Sequence, residues 1–373
     1  MTLSVVLLLL LVALVFEYIN GFHDTANSIA TVVATKVLTP TQAVMLAASA
    51  NLVGAMLGDE VAKTISSGLI NADVAVISSE ILICALLGGI VWNLLTWWLG
   101  LPSSSSHALV GGMCGAAVAT VNRWDAILWS IPADPWYTGK GLLWKVVVPM
   151  FTSPLGGFLL GLILMGLLFF LISAMNNADG FLARISKPRW VNAFFGKAQI
   201  LSATGMGLMH GLNDAQKTMG IITLALVTAT SAGTLDSAPS WLGFLRTEEG
   251  GIPLWIKIVC AIVMAAGTAA GGWRIIKTLG HKLVKLHPIH GFAAETASAT
   301  MIGIASSLGI PVSTTHNISA AIIGVGCAKR WNAIKWTVVE RMIWAWILTI
   351  PATGGIAYAL VRVGMNLGWI AAR

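Results

Sequence analysis

The sequence predicts an all-α polytopic membrane protein made of two inverted-topology repeats, with broken helices, re-entrant hairpins and about ten to twelve transmembrane segments. Three observations lead there. Hydrophobic residues make up 57% of the 373 positions and charged residues only 10%, with a mean hydropathy of +0.83, whereas soluble chains carry about a quarter charged residues. Six apolar windows approach or exceed the length needed to cross a bilayer as a helix: Leu3–Ile19, Gln42–Gly58, Ser79–Leu99, Val146–Ile172, Trp255–Trp273 and Trp336–Val361. Finally, two polar signatures occur twice inside this apolar sequence.

The first signature runs Asn20-Gly21-Phe22-His23-Asp24-Thr25-Ala26-Asn27 and returns as His210-Gly211-Leu212-Asn213-Asp214-Ala215-Gln216-Lys217. The second runs Gly100-Leu101-Pro102-Ser103-Ser104-Ser105-Ser106-His107 and returns as Gly309-Ile310-Pro311-Val312-Ser313-Thr314-Thr315-His316. Charged and hydroxylated residues are expensive in hydrocarbon, so a duplicated set of them marks a path for a polar solute. The duplication divides the chain into repeats at 1–175 and 199–373, joined by a basic linker at 176–198.

The first apolar window lacks a basic leading region and runs into Glu17 and the polar signature, so it is expected to be a retained span and not a cleaved signal. The net charge of +7 comes from short loops. Arg184, Lys187, Arg189 and Lys197 cluster in one, Arg274, Lys277, Lys282 and Lys285 in another, and Lys329, Arg330 and Lys335 in a third. The stretch 232–254 carries Asp236, Glu248 and Glu249 against a single Arg246. The positive-inside rule then puts the basic loops in the cytoplasm and, with an odd number of crossings per repeat, both termini outside the cell (inner) membrane. Trp97, Trp98, Trp124, Trp129, Trp136 and Trp144 fit an interfacial belt. The scattered Cys84, Cys114, Cys260 and Cys327 have no metal-ligand spacing and read as inert thiols.

Asn20-Gly21 and His210-Gly211 place a flexible glycine before each aspartate, which predicts a helix break at each acidic signature. Each Pro followed by hydroxyl residues and His predicts the tip of a re-entrant hairpin, where a new helix starts. Helix N-termini offer unpaired amides and partial positive charge, and Ser104, Ser105, Ser106, Ser313, Thr314 and Thr315 add hydroxyl donors suited to a tetrahedral oxyanion. Asp24 and Asp214 bring two negative charges and Lys217 cancels one. An anion entering such a pocket needs a protonated Asp or an accompanying cation, so anion entry is expected to be coupled to a proton or metal ion. Asn51, Asn93, Glu295 and Glu17 lie inside apolar segments, where interhelical bonding and function are equally good readings.

These residues carry a resemblance. The chain resembles the inorganic phosphate transporter (PiT) family over essentially its whole length, most specifically at Gly211-Leu212-Asn213-Asp214 and Pro311-Val312-Ser313-Thr314-Thr315-His316. The resemblance implies a secondary active transporter importing inorganic phosphate by alternating access, with no enzymatic activity and no resident cofactor. It implies a phosphate site of Asp24, Asn27, Asp214 and the hydroxyl clusters Ser104–Ser106 and Ser313–Thr315, to which charge adds Lys217. His23, Asn213, His107, His316 and Glu295 are the candidates for cation coupling. His23 before Asp24, and Lys217 where a second Asn would match Asn27, look like the bacterial low-affinity branch. That branch is proton-coupled and carries phosphate as a complex with a divalent metal, so the co-transported cation is expected to be a proton.

Sodium-phosphate symport and sulfate as substrate keep the same fold. An intramembrane hydrolase using Ser106, His107 and an aspartate is a different class, but it needs one asymmetric site where every element here is doubled, and Gly-x-Ser-x-Gly is absent. A channel is disfavoured because polar residues cluster at discrete points and form no continuous stripe. Expected partners are phosphate, the coupling cation and the bilayer, with homo-oligomers allowed and nucleic acid excluded.

Overall fold

The computed structural model describes residues 2–67, 69–71, 74, 78–135, 138–248 and 250–370, and is helical almost throughout. Trp136 and Glu249 lie outside the described residues. The first half contains α1 (Leu3–Ala34), α2 (Pro40–Ala55), α3 (Glu60–Ser67), α4 (Ser79–Leu99), α5 (Ser105–Val121) and α6 (Val148–Asn176). A short α7 (Phe181–Ile185) leads into the second half: α8 (Pro188–Ser231), α9 (Leu254–Ala270), α10 (Trp273–Lys277), α11 (Pro288–Ser307), α12 (Thr314–Lys329) and α13 (Trp336–Asn366). The end of the expected linker therefore belongs to α8.

The halves correspond element by element. α2 and α3 meet at a 70° bend, and α9 meets the segment from Trp273 to Lys282 at 58°. α6 and α13 are long apolar helices with Pro154 and Pro351 inside them. α1, α4, α6 with its leading turn, and α13 are each long and apolar enough to cross a bilayer, and each bent pair adds one candidate span. α8 is longer than any of these at 44 residues, but its polar signature lowers its hydropathy.

α1 and α8 lie side by side and antiparallel, as inverted repeats require. Glu17, before Asp24 on α1, accepts a bond from Thr218, after Asp214 on α8, and Thr35 beyond the end of α1 donates to Gln199 in the first third of α8. Each half inserts helices into the other: α9 packs on α1 and α2 on α8, α12 on α6 and α13 on α5. Lys36, the α7 segment, the loop before α11 and the α12–α13 turn gather at one end, joined by the Thr35–Gln199 bond and a Lys335–Leu283 backbone bond. Most of the basic residues thus lie toward this end, whereas Arg274, over the Trp97 ring that packs on Phe22, sits level with the middle of α1.

The acidic signatures do not break their helices, which corrects the sequence expectation. α1 and α8 run unbroken through Gly21 and Gly211. The glycines serve packing instead. A Cβ on Gly21 would sit 2.3 Å from the Met264 carbonyl oxygen of α9, and one on Gly211 2.3 Å from the Asn51 carbonyl oxygen of α2. The breaks fall at the bent pairs and at the hydroxyl tips, where Gly100 and Gly309 adopt φ of 66° and 64° and end the preceding helices.

Apolar side chains pack into two main bodies. One collects the N-terminal half of α1 with α4, α5 and α9, and the other collects the C-terminal half of α1 with α2, α11 and α12. The polar signatures occupy the middle of α1 and α8, between these bodies. Cys84, Cys114, Cys260 and Cys327 are free thiols.

Candidate functional site

The site forms where the middles of α1 and α8 meet the first turns of α5 and α12. Ser104 caps α5 by accepting from the His107 amide at 3.2 Å, and Ser313 caps α12 by accepting from the His316 amide at 3.2 Å. Both caps have nearly the same extended backbone. They fix the next two hydroxyls of each tip, Ser105 with Ser106 and Thr314 with Thr315, on the helix N-terminus beside amides that lack intrahelical acceptors.

Within each half, the aspartate takes a hydroxyl from its own tip. Ser105 donates to Asp24 Oδ2, and Thr314 donates to Asp214 Oδ2 at 2.9 Å. Across the halves, the residue three positions later reaches the opposite tip. Asn27 donates to Thr314 and Thr315 at 3.1 and 2.9 Å, while Lys217 reaches Ser106. Lys217 also pairs with Asp214 Oδ1, and its Nζ donates to the Val312 carbonyl at 3.2 Å. Thr315 donates to Asp24 Oδ1 at 3.3 Å, closing the ring of contacts. Every one of these side chains is buried.

The sequence-predicted residues therefore converge, although in different roles. Asp24, Asn27, Ser105, Ser106, Asp214, Lys217, Thr314 and Thr315 form the inner ring, while Ser104 and Ser313 hold the tips. His23 bonds Asp24 at 2.7 Å and lies 3.1 Å from Thr96. Asn213 points away and donates to Ser306 of α11 at 2.8 Å. His107 and His316 meet edge to face at 4.8 Å behind the tips, and His316 stacks on Trp346 at 4.2 Å. Glu295 sits elsewhere in the core, bonded by Thr31, Ser202 and Gln199.

His210 was not among the predicted site residues, yet its Nε2 lies 2.9 Å from Asp214 Oδ2, and its Nδ1 bonds Asn51 at 3.1 Å. Its spacing, four residues before Asp214 on one helix face, was the available signal. The expected break at Gly211 concealed it. Asp24, His210 and Asp214 each present a ligand atom, all within 4.8 Å of one another. One imidazole and two carboxylates are donors that can ligate a divalent metal, with Lys217 competing for one of the carboxylates.

The charge balance is now explicit. Two carboxylates face one fixed ammonium, two imidazoles and four inward hydroxyls, all out of water. A tetrahedral oxyanion can take over the hydroxyl bonds now donated to the aspartates, and Lys217 is placed to follow it.

The sequence pattern of the phosphate transporter family matches residues 20–357. The chain belongs to the phosphate transporter family. A "Probable low-affinity inorganic phosphate transporter" of Bacillus subtilis (strain 168) is 40% identical over 360 residues, covering 96% of this chain and 97% of that protein. One of the same name from Rhizobium meliloti (strain 1021) is 41% identical over 350 residues, covering 94% and 93%. A solved structure described as "The sodium-dependent phosphate transporter" superposes with a TM-score of 0.77 at 21% identity, covering 98% of this chain and 100% of that one. At that identity the likeness concerns the fold. This family member is a multi-pass membrane protein with phosphate as its substrate and a transport role without enzymatic chemistry.

Proposed function

We propose that this transporter imports phosphate by proton-coupled symport with alternating access, taking phosphate alone or as a metal complex. The observation that carries the reading is the twofold exchange of contacts at the tips. Each aspartate holds a hydroxyl of its own half, and Asn27 and Lys217 each hold the tip of the other half. A ligand bound between the tips touches both repeats, so its binding energy bears on their relative position.

The site is buried on all sides, so a solute reaches it only when helices move. α5 and α12 are the natural moving parts. They begin at the glycine-terminated breaks, and each packs on the long proline-containing helix of the other half. The phosphate ligands in this reading are Asp24, Asn27, Ser105, Ser106, Asp214, Lys217, Thr314 and Thr315, with Ser104 and Ser313 presenting the tips. His23, His107, His316, Asn213 and Glu295 remain the candidates for the cation side of the cycle.

Proton coupling is favoured over sodium by Lys217. Its ammonium occupies the position where an amide oxygen would otherwise help bind a cation, and it already neutralises Asp214. The second fixed carboxylate, Asp24, faces His23 and two hydroxyls, and no lysine or arginine pairs with it among the described residues. The gathering of most basic residues toward one end favours a cytoplasmic position for that end and external termini, in the inner membrane.

Labelled phosphate uptake into proteoliposomes, driven in turn by proton and sodium gradients, tests this function. Accumulation under an inward proton gradient alone is expected. Accumulation under sodium alone would transfer the coupling to sodium, and suppression by excess unlabelled sulfate would change the anion.

A further inference from the structure

α1 carries another buried carboxyl that the phosphate site does not use. Glu17 lies seven residues before Asp24, and Thr31, which bonds Glu295, lies seven residues after it. Two helical turns separate each level from Asp24, about 10 Å along the axis. Thr218 and Ser202 of α8 hold the same two glutamates from either side of Asp214, in the reverse order that an antiparallel neighbour requires. The central aspartate pair is thus flanked by one buried glutamate on each side.

The two glutamates are not equivalent. Glu295 receives three donors, from Thr31, Ser202 and Gln199, distributed over both of its oxygens. Glu17 is fully buried and receives the Thr218 hydroxyl on Oε2, while Oε1 has no partner. One turn along the same face, Asn20 Oδ1 is also buried without a partner. The Asn20 side chain lies within hydrogen-bonding reach of the Glu17 carboxyl, and a buried carboxylate with one unpartnered oxygen is costly. One proton on Glu17 Oε1 removes that cost by neutralising the carboxylate.

Among the described residues, Lys217 is the cation that acts on Glu17. α8 turns Asp214 and Lys217 toward Glu17, and Lys217 is already engaged by Asp214 and Ser106. α9 contributes the Cys260 thiol, and its Lys257 is at the exposed end near Gly58. α4 carries Cys84 and Glu80 further toward the start of α1, its register set by Phe16 against Gly89 and His23 against Thr96. The other charged groups on elements touching α1 are His210 at Asp214 with Lys197 and Arg189 earlier on α8, His107 and His316 at the tips, Lys329 at the end of α12, Glu295 and His290 on α11, and the Arg274–Lys282 cluster. Their anchor points on α1 are Asp24, Thr31 and Ala30, on the far side of Asp24 from Glu17 or level with it.

We infer that Glu17 is a proton-binding station of the transport cycle, paired with Asn20 and Thr218, two turns from the phosphate site. The proton is taken from the aqueous phase on the N-terminal side of α1 onto Oε1. It is released to water on the opposite, cytoplasmic side when Lys217 leaves Asp214 for the oxyanion and Thr218, the next residue on α8, shifts with it. The inference rests on the proton-symport reading and adds a named carrier to it.

Glu17→Gln tests it in proteoliposomes, because Gln keeps the shape, stays neutral and offers Asn20 an N–H donor. Phosphate–phosphate exchange, which moves no net proton, is expected to stay within about twofold of wild type, while proton-driven accumulation falls about tenfold or more. Asn20→Leu, which leaves the carboxyl in place, is expected to preserve exchange and weaken driven accumulation by about threefold or more. Driven accumulation unchanged in both variants would overturn the inference and leave proton symport standing. So would loss of exchange and driven uptake in equal measure in Glu17→Gln, provided the variant is recovered folded. Wild-type protein that exchanges phosphate but ignores a proton gradient would overturn proton symport itself, and this inference with it.

Discussion

Asn27 of α1 donates its side-chain amide to Thr315 of α12 at 2.9 Å, tying the first helix of one repeat to the hairpin tip of the other. Lys217 makes the corresponding contact in reverse, to Ser106 of α5. The pair explains why two unlike residues occupy equivalent positions. Each spans the boundary between repeats, but only the lysine also brings charge.

Asn27→Ala removes two bonds to the opposite tip while leaving both aspartates in place. At about 1 kcal/mol each, their loss should weaken phosphate binding by about tenfold or more. Titration of purified variant with phosphate checks this, and an unchanged Kd would place Asn27 outside the binding contacts.

Lys217→Met leaves Asp214 without its ammonium partner, and breaking a buried pair in this way costs about 3–5 kcal/mol. Phosphate uptake should be lost. Lys217→Asn recreates the amide found at Asn27 and opens room for a cation. It should recover uptake that sodium stimulates, in contrast to the wild-type chain. Uptake by the two variants with and without sodium separates the effects.

Asp214→Asn should abolish coupled uptake while the protein remains in the membrane. The amide cannot balance Lys217, and it changes the contacts to His210 and Thr314. Wild-type uptake by a variant present at normal levels in membrane fractions would remove Asp214 from the mechanism.

Gly211→Ala places a Cβ against the Asn51 carbonyl, with backbone on both sides and no flexible group to yield. Overpacking of this kind costs about 1–3 kcal/mol, which corresponds to a Tm lower by about 1–4 °C for a chain of this size. Gly166→Ala is the control, since nothing lies within 4 Å of a Cβ there. Thermal unfolding of the two variants in detergent should differ in the stated direction.

Much of this arrangement was legible before any coordinates. Ser79–Leu99 coincides with α4 end to end, and the other five apolar windows each fall largely on one helix, or on a bent pair. Periodicity and length carry that information locally. The convergence of Asp24 and Asp214 was suggested by duplication, because two acidic signatures inside apolar helices are best housed in one shared polar cavity. What failed was local too. Glycine before aspartate was read as a helix break, but Gly21 and Gly211 are packing contacts with α9 and α2, and a partner's backbone does not show in the sequence of the helix that receives it. Reading a break there also hid His210, whose contact with Asp214 exists only along an unbroken turn. The unbroken helix also sets the direction of Asn213, which turns toward Ser306 of α11.

The central claim is that one tetrahedral oxyanion is held jointly by both hairpin tips, between Asp24 and Asp214. Cryo-electron microscopy of the protein with bound phosphate measures this most directly. Density bounded by Ser105, Ser106, Thr314 and Thr315, with Lys217 drawn from Asp214 toward the ligand, is the predicted result. Ligand density at any other place, with the tip hydroxyls still bonded to the two aspartates, would contradict it.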